Sequence, residues 1–335
     1  MTTTGEWQRL AGPKVVALGG GHGLAASLSA LRRVSGRLSA VVTVADDGGS
    51  SGRLRRELGV LPPGDLRMAL AALCGDDDWG HTWARVLQHR FASSGELHNH
   101  SVGNLLIVAL WELLDGHVEG LDWVGRLLGA QGRVLPMSST ALDIQALVAR
   151  LERGASARRE METVVGQHAV ATALGTVVAV ELLPHDPPAC PEALTAIEEA
   201  DWVVLGPGSW FTSVIPHLLV PDLRDALLTT SARRLVTLNL SAEGGETEGF
   251  TPEMYIEVLG AYAPELTIDA VLADPGSVPD ERLLRRVAGD FGAALTVAKI
   301  AMDDGTARHD PQRLAHAYAE IFAREQTHGR IREWR

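Results

Sequence analysis

The chain has 335 residues, enough for one large domain or two modest ones at about 150 residues each. With 46% apolar and 21% charged residues it has the composition of a globular protein, which excludes a disordered chain. A formal charge of -12 argues against nucleic acid and anionic membranes as partners, and a complement of two lysines, Lys14 and Lys299, excludes a lysine-centred phosphate loop.

The predicted elements begin with a buried strand over Lys14–Leu18, a glycine loop at Gly19–Gly23, a helix over Leu24–Val34 and a second strand over Leu38–Ala45. Apolar spacing then predicts helices over Asp65–Leu73, Trp79–Phe91, Val102–Leu114 and Val118–Leu128. A β-rich stretch follows, with pieces at Arg133–Met137, Ala141–Leu151 (equally readable as helix) and Val170–Leu183. After a proline-rich connector the α/β rhythm resumes: helix Glu192–Ala200, strand Trp202–Leu205, loop Gly206–Ser209, helix Trp210–Leu219, strand Leu235–Leu240 and helix Thr251–Ala261. Strand Ala270–Ala273, helix Asp280–Phe291, strand Ala294–Ala298 and helix Gln312–Arg324 complete it, with residues 329–335 as a frayed tail. The expected fold is a single α/β domain over residues 13–330, a doubly wound parallel sheet flanked by helices, with a helical and then β-rich insertion at about residues 64–183.

Compartment follows from what is missing. Cys74 and Cys190 are far apart and form no CxxC pair, and Met1–Gly12 carries no apolar signal core. The most apolar stretches, Asn104–Leu114 and Val170–Leu183, fall short of the roughly 18 residues of a membrane helix. A cytoplasmic protein is expected, with no membrane insertion.

Glycine-rich segments follow several of these strands, where open α/β sheets place their ligands. Gly19, Gly20, Gly21, His22 and Gly23 read either as a phosphate nest at a helix N-terminus or as a simple tight turn. Asp46 and Asp47 lead into Gly48, Gly49, Ser50, Ser51, Gly52 and Arg53. Two adjacent carboxylates suit a metal ion, a ribose or a solvated turn, and Gly48–Gly52 also matches the nucleophile-elbow pattern. Asp65, before Arg67, either caps a helix or joins Asp46 and Asp47 in a carboxylate cluster for Mg2+ or Ca2+. Gly206, Pro207, Gly208 and Ser209 form a second candidate nest, and Gly244–Gly249 a further strand-end loop. His98 and His100 read as a metal pair or, with Asn104, as the lining of a cleft or a helix cap. No Walker A sequence is present.

Taken in order, Gly19–Leu24, Thr43–Arg55, Pro62–Arg67, His100–Leu105 and Leu205–Ser209 resemble the bacterial gluconeogenesis factor family, a branch of the 2-phospho-L-lactate transferase-like superfamily. The resemblance runs from about Val15 to at least Phe250, with His22 standing where the family usually has threonine. It implies a Rossmann-like core and a cytoplasmic protein that binds UDP-sugars such as UDP-N-acetylglucosamine and supports cell shape and wall synthesis on gluconeogenic carbon. The transferase relatives move a phospholactyl-type group from a guanosine diphospho donor to a deazaflavin alcohol with an aspartate-held divalent metal. They do not share the Gly/Ser run after Asp47. Carried over, Asp46 or Asp47 with Asp65 would be the metal positions, for Mg2+ or Ca2+. Gly19–Gly23, Asp46–Ser51, Arg53, Arg67, Asn104 and Gly206–Ser209 would bind the ligand.

Three functions are therefore expected in order: a regulatory nucleotide-sugar binder, a metal-dependent transferase and a nicotinamide-dependent oxidoreductase. Expected partners are a nucleotide sugar or dinucleotide, cell-wall synthesis proteins, a regulatory Ser/Thr kinase and a second copy of the chain, with no nucleic acid.

Overall fold

The computed structural model describes residues 12–114, 116–151, 159–242 and 245–332. It opens with β1 (Lys14–Gly19), α1 (Gly21–Leu31) and β2 (Arg37–Val42). Helices α2 (Gly49–Leu58), α3 (Gly64–Ala72), α4 (Asp78–Gln88), α5 (Val102–Leu114) and α6 (His117–Leu128) lead to β3 (Arg133–Pro136). Next come β4 (Asp143–Leu151), β5 (Arg159–Val165), a short α7 (Gln167–Ala171) and β6 (Thr176–Leu183). Helix α8 (Pro191–Glu198), β7 (Trp202–Leu205), a π turn at Trp210–Val214, α9 (Pro216–Leu219), α10 (Pro221–Thr229) and β8 (Arg233–Thr237) follow. The chain ends with α11 (Pro252–Tyr262), β9 (Ala270–Ala273), α12 (Glu281–Asp290), β10 (Ala294–Val297) and α13 (Pro311–Arg332).

Seven of these strands form one parallel sheet in the order β10-β9-β8-β7-β1-β2-β3. The chain leaves β1 toward β3 on one side, then returns beside β1 as β7 and steps outward on the other. This is the doubly wound, Rossmann-like arrangement, and the order reverses between β1 and β7. Val15–Leu18 of β1 and all of β7 are buried without alternation, as strands covered on both faces must be. Helix α1 packs between α3 and α13. A buried hydroxyl cluster reinforces that contact: Tyr318 of α13 meets Ser27 at 2.8 Å and Thr237 at 3.1 Å. Strands β4, β5 and β6 form a separate antiparallel sheet, order β5-β4-β6. Among the described residues no helix is long and apolar enough to cross a membrane.

Several expectations need correction. Arg133–Pro136 is not part of the β-rich insert; it pairs with β2 at the edge of the main sheet, Ser39 opposite Arg133. Ala141–Leu151 resolves to a strand, β4, and β5 was not anticipated because its Arg159, Glu160 and Glu162 sit on an open edge, where charges are at home. The Gly/Ser run after Asp47 is not a loop but the first turn of α2. Tertiary contacts override its poor helix propensity: Ser50 and Ser51 take buried side-chain partners, and a Cβ on Gly52 would overlap the Asp47 carbonyl. Helix α1 starts at Gly21 rather than Leu24, and Trp210–Leu219 is a π turn followed by α9, with Pro216 opening the new helix. Helix α13 continues to Arg332, past the expected fray point; residues 333–335 and most of the Met1–Gly12 segment lie outside the described residues.

Candidate functional site

The order reversal between β1 and β7 leaves a gap beyond the carboxyl ends of the strands, and a cleft of about 730 Å3 occupies it. Its floor is the turn from β1 into α1. Gly20 caps α1 in an extended conformation with no side-chain cap, and the first turn holds no acidic residue. The positive end of an 11-residue helix therefore faces the cleft through Gly20–Gly23, and His22 stands exposed at its lip. Gly23 is a site of close approach: a Cβ there would overlap Gly208 Cα and Pro207 O. The loops after β1 and β7 are thus one continuous wall.

The β7 loop is braced rather than open. Gly208 N–H donates to Asn239 Oδ1 (2.8 Å), and Asn239 Nδ2 donates back to Gly208 O (2.9 Å). Gly206 lies behind the wall, its carbonyl accepting from Ser27 Oγ at 3.0 Å. The second phosphate nest expected at Gly206–Ser209 consequently lacks the Gly208 amide; Pro207, Gly208 and Ser209 line the cleft as packed surface.

Two carboxylates reach the cleft. Asp46 leaves the loop after β2, and its Oδ1 accepts from Gly48 N–H at 2.9 Å. Asp65 sits in the first turn of α3, whose N-cap is Pro63, so it does not cap the helix but turns into the cleft. A Cβ on Gly20 would stand 2.7 Å from Asp65 Oδ2, so glycine there admits the carboxyl group. Asp65 is buried and its Oδ2 has no hydrogen-bond partner. Burial, reinforced by the neighbouring Asp46 charge, pushes its pKa up to about 7 against contacts with Gln167, Gly21 and Arg67.

Asp47 takes no part in this pair. Its Oδ1 accepts from His168 N–H at 3.0 Å, and its Oδ2 abuts Gly166, so it points to the start of α7. The expected Asp46–Asp47–Asp65 triad is therefore not assembled, and among the described residues no group of three His, Cys, Asp or Glu is placed to hold a metal ion. What remains is a pair, one member with an orphaned oxygen. Two carboxylates are what Mg2+ would take from a protein, with waters and substrate phosphates completing its shell, and are too few for an all-protein Ca2+ cage.

Other sequence candidates lie outside the cleft lining. Ser50 Oγ meets His100 Nδ1 at 3.1 Å and accepts from Ser101 N–H, so the nucleophile-elbow serine is buried and turned away. Ser51 Oγ accepts from Asn104 Nδ2 at 3.3 Å. Arg53 donates to the carbonyls of Glu96 (3.1 Å) and His98 (2.7 Å), while Arg67 is buried against Gln88 with its pKa lowered to about 10 by desolvation. Gly19 ends β1 beneath Leu24, and Gly49 opens α2 at φ +45°. His98 Nδ1 accepts from Ser93 N–H while His100 faces Ser50, so the two do not converge on a metal. Gly244 lies outside the described residues, and Glu246 braces the wall through Phe211 N–H at 3.3 Å.

Sequence reasoning missed the rest of the lining. Gln167 and His168 come from α7, whose place over the main sheet no local pattern reveals. Asn239 and Ser241 follow β8 and were discoverable by the strand-end rule. Met302, Arg308 and His309 arrive on a segment tied by Asp274 Oδ2, which accepts from Ile300 N–H (2.8 Å) and Ala301 N–H (2.9 Å). His309 Nε2 is buried without a partner, and desolvation draws this imidazole down to about 4, keeping it neutral.

Comparison with known proteins agrees with this architecture. The model of the family 2-phospho-L-lactate transferase CofD matches residues 15–310. A Mycobacterium tuberculosis protein named "Putative gluconeogenesis factor" is 54% identical over 93% of this chain and 91% of its own length. The Listeria monocytogenes "Gluconeogenesis factor" is 33% identical over 91% of this chain and 94% of its own. A crystal structure of a UPF0052 family member from Bacillus halodurans superposes with a TM-score of 0.79 at 30% identity, covering 91% of this chain and 98% of that one. By sequence and by fold, then, the chain belongs to the 2-phospho-L-lactate transferase CofD family, with gluconeogenesis factors among its relatives.

Proposed function

We propose that this protein is a cytoplasmic binder of a diphosphate-linked nucleotide sugar, of the UDP-N-acetylglucosamine kind, and that the bound state regulates wall synthesis and cell shape during gluconeogenic growth. The observation that carries the binding step is the uncapped N-terminus of α1 at the order reversal, which supplies amides and a dipole for phosphate where lysine is missing. The cleft volume suits a ligand of that size. The gluconeogenic setting is supported by the names of the relatives, and the wall-synthesis and cell-shape role by the resemblance in the motifs alone.

A second reading, metal-dependent transfer of a phospholactyl-type group from a nucleotide diphospho donor, is favoured by the Asp46–Asp65 pair and by the family match. Those two residues would hold the metal, whose charge offsets that of the diphosphate when bound. Asp65, desolvated at the cleft wall, fixes where that positive charge is wanted.

Isothermal titration with UDP-N-acetylglucosamine, UDP and GDP, with and without Mg2+, tests both. Low-micromolar binding of the nucleotide sugar with unchanged phosphorus NMR of the ligand supports the binder. Loss of the diphosphate resonances when extract alcohols are added supports the transferase. Silence toward all three nucleotides in both conditions refutes both readings.

A further inference from the structure

The sequence pairs Asp46 with Asp47, but the fold separates their roles. Asp47 is clamped from below and from above. A Cβ on Gly52 would overlap the Asp47 carbonyl, which fixes its backbone on the first turn of α2. Its side chain reaches across to the start of α7, where Oδ1 accepts from His168 N–H at 3.0 Å and Oδ2 packs against Gly166, close enough that a Cβ there would overlap it. Gly166 also holds φ +106°, a conformation side chains avoid, so both geometry and space reserve the position for glycine. Beyond this contact, Gln167 Nε2 donates to Thr212 O at 3.3 Å, linking α7 to the β7 wall. His168, next along, is exposed and lines the cleft.

We propose that Asp47 is a positioning residue whose carboxylate latches Gly166–His168 over the cleft, and that the His168 imidazole held there recognises a hydroxyl-bearing group beyond the ligand's phosphates. The α7 segment between β5 and β6 is then the specificity element of the site, and the parallel sheet supplies phosphate binding. An imidazole both donates and accepts hydrogen bonds, so it suits a sugar hydroxyl better than an apolar substituent. This inference rests on the nucleotide-sugar reading above and assigns which part of the protein reads which part of the ligand.

The test compares Kd for UDP-N-acetylglucosamine and for UDP in wild type, Asp47→Ala, Asp47→Asn, Gly166→Ala and His168→Ala, with thermal unfolding recorded for each. Asp47→Ala, Gly166→Ala and His168→Ala are expected to weaken the sugar nucleotide about tenfold and UDP less than twofold. Asp47→Asn retains an acceptor for His168 N–H and should recover most of the loss. His168→Ala leaves the latch intact, so it keeps the inference testable if the latch variants fail to fold. If the affinity ratio between the two ligands stays at its wild-type value in His168→Ala and in the folded latch variants, Asp47 is structural and the inference falls while the nucleotide reading stands. If wild type binds neither ligand, both fall together.

Discussion

Asp65→Asn should make the protein more stable at alkaline pH, because the native fold holds this carboxyl against its preference to ionise. In the unfolded chain Asp65 titrates near 3.8; in the cleft wall, burial and the Asp46 charge raise it to about 7. A folded pKa above the unfolded one means the native state binds the extra proton. Its stabilising contribution is complete below pH 3.8, declines across the interval and is gone above about pH 7. A rise of about three pH units corresponds to about 4 kcal/mol. Asparagine has nearly the same shape and no titration, so the variant keeps its stability where wild type loses it. Urea denaturation of both proteins at several values from pH 4 to pH 8 isolates the effect, since groups not coupled to Asp65 cancel in the difference. The expected difference swings by about 4 kcal/mol toward the variant with rising pH, above any constant offset from altered hydrogen bonds. Asp46→Asn, which removes the neighbouring charge but not the burial, should give a smaller swing of the same sign. A wild-type-minus-variant difference that stays flat across the range would refute the argument that Asp65 is held desolvated in the native cleft.

Gly23→Ala should be severe, because its Cβ would meet backbone atoms of Pro207 and Gly208 that cannot swing aside. A loss of about 2 kcal/mol or more in chemical denaturation is expected, together with loss of nucleotide binding; full stability would show that the two loops do not pack as one wall. Asn239→Ala removes both hydrogen bonds to Gly208 and leaves a buried amide unpaired, at a cost of about 1–3 kcal/mol. Faster hydrogen exchange at Gly208 should accompany that loss, and an unaltered exchange rate would remove Asn239 from its bracing role.

The parts of the fold that the sequence revealed are those in which chemistry and burial agree locally. Val15–Leu18 and Trp202–Leu205 are continuous apolar runs that end in glycine, and the structure has each as a central parallel strand opening onto the cleft. Glycines of the first loop were legible for the same reason: Gly21 at φ +57° and the close approach at Gly23 demand that residue whatever binds. Long-range partners were not legible. Ser50, Ser51, Arg53, Arg67 and Asn104 are polar residues near a ligand motif, yet each lies outside the cleft lining and bonds elsewhere: Ser50 to His100, Ser51 to Asn104, Arg53 to the Glu96 and His98 carbonyls and Arg67 to Gln88. Conversely Gln167, His168 and His309 enter the cleft from segments with no motif at all.

The two aspartates show why this division is physical. Adjacent in sequence, Asp46 and Asp47 invite a joint role, since two neighbouring charges at a strand end are costly unless something uses them. But side chains one residue apart on irregular backbone diverge, and here each charge meets a different need. Asp46 adds negative potential beside Asp65 and so helps to hold that carboxyl protonated. Asp47 spends its charge on the amide of His168 and the backbone at Gly166, fixing one element against another. With a net charge of -12, the chain does not attract a phosphorylated ligand through its overall field. On the proposed reading, attraction is therefore local, at the α1 terminus and the Asp46–Asp65 pair, and discrimination falls to the α7 segment that Asp47 holds in place.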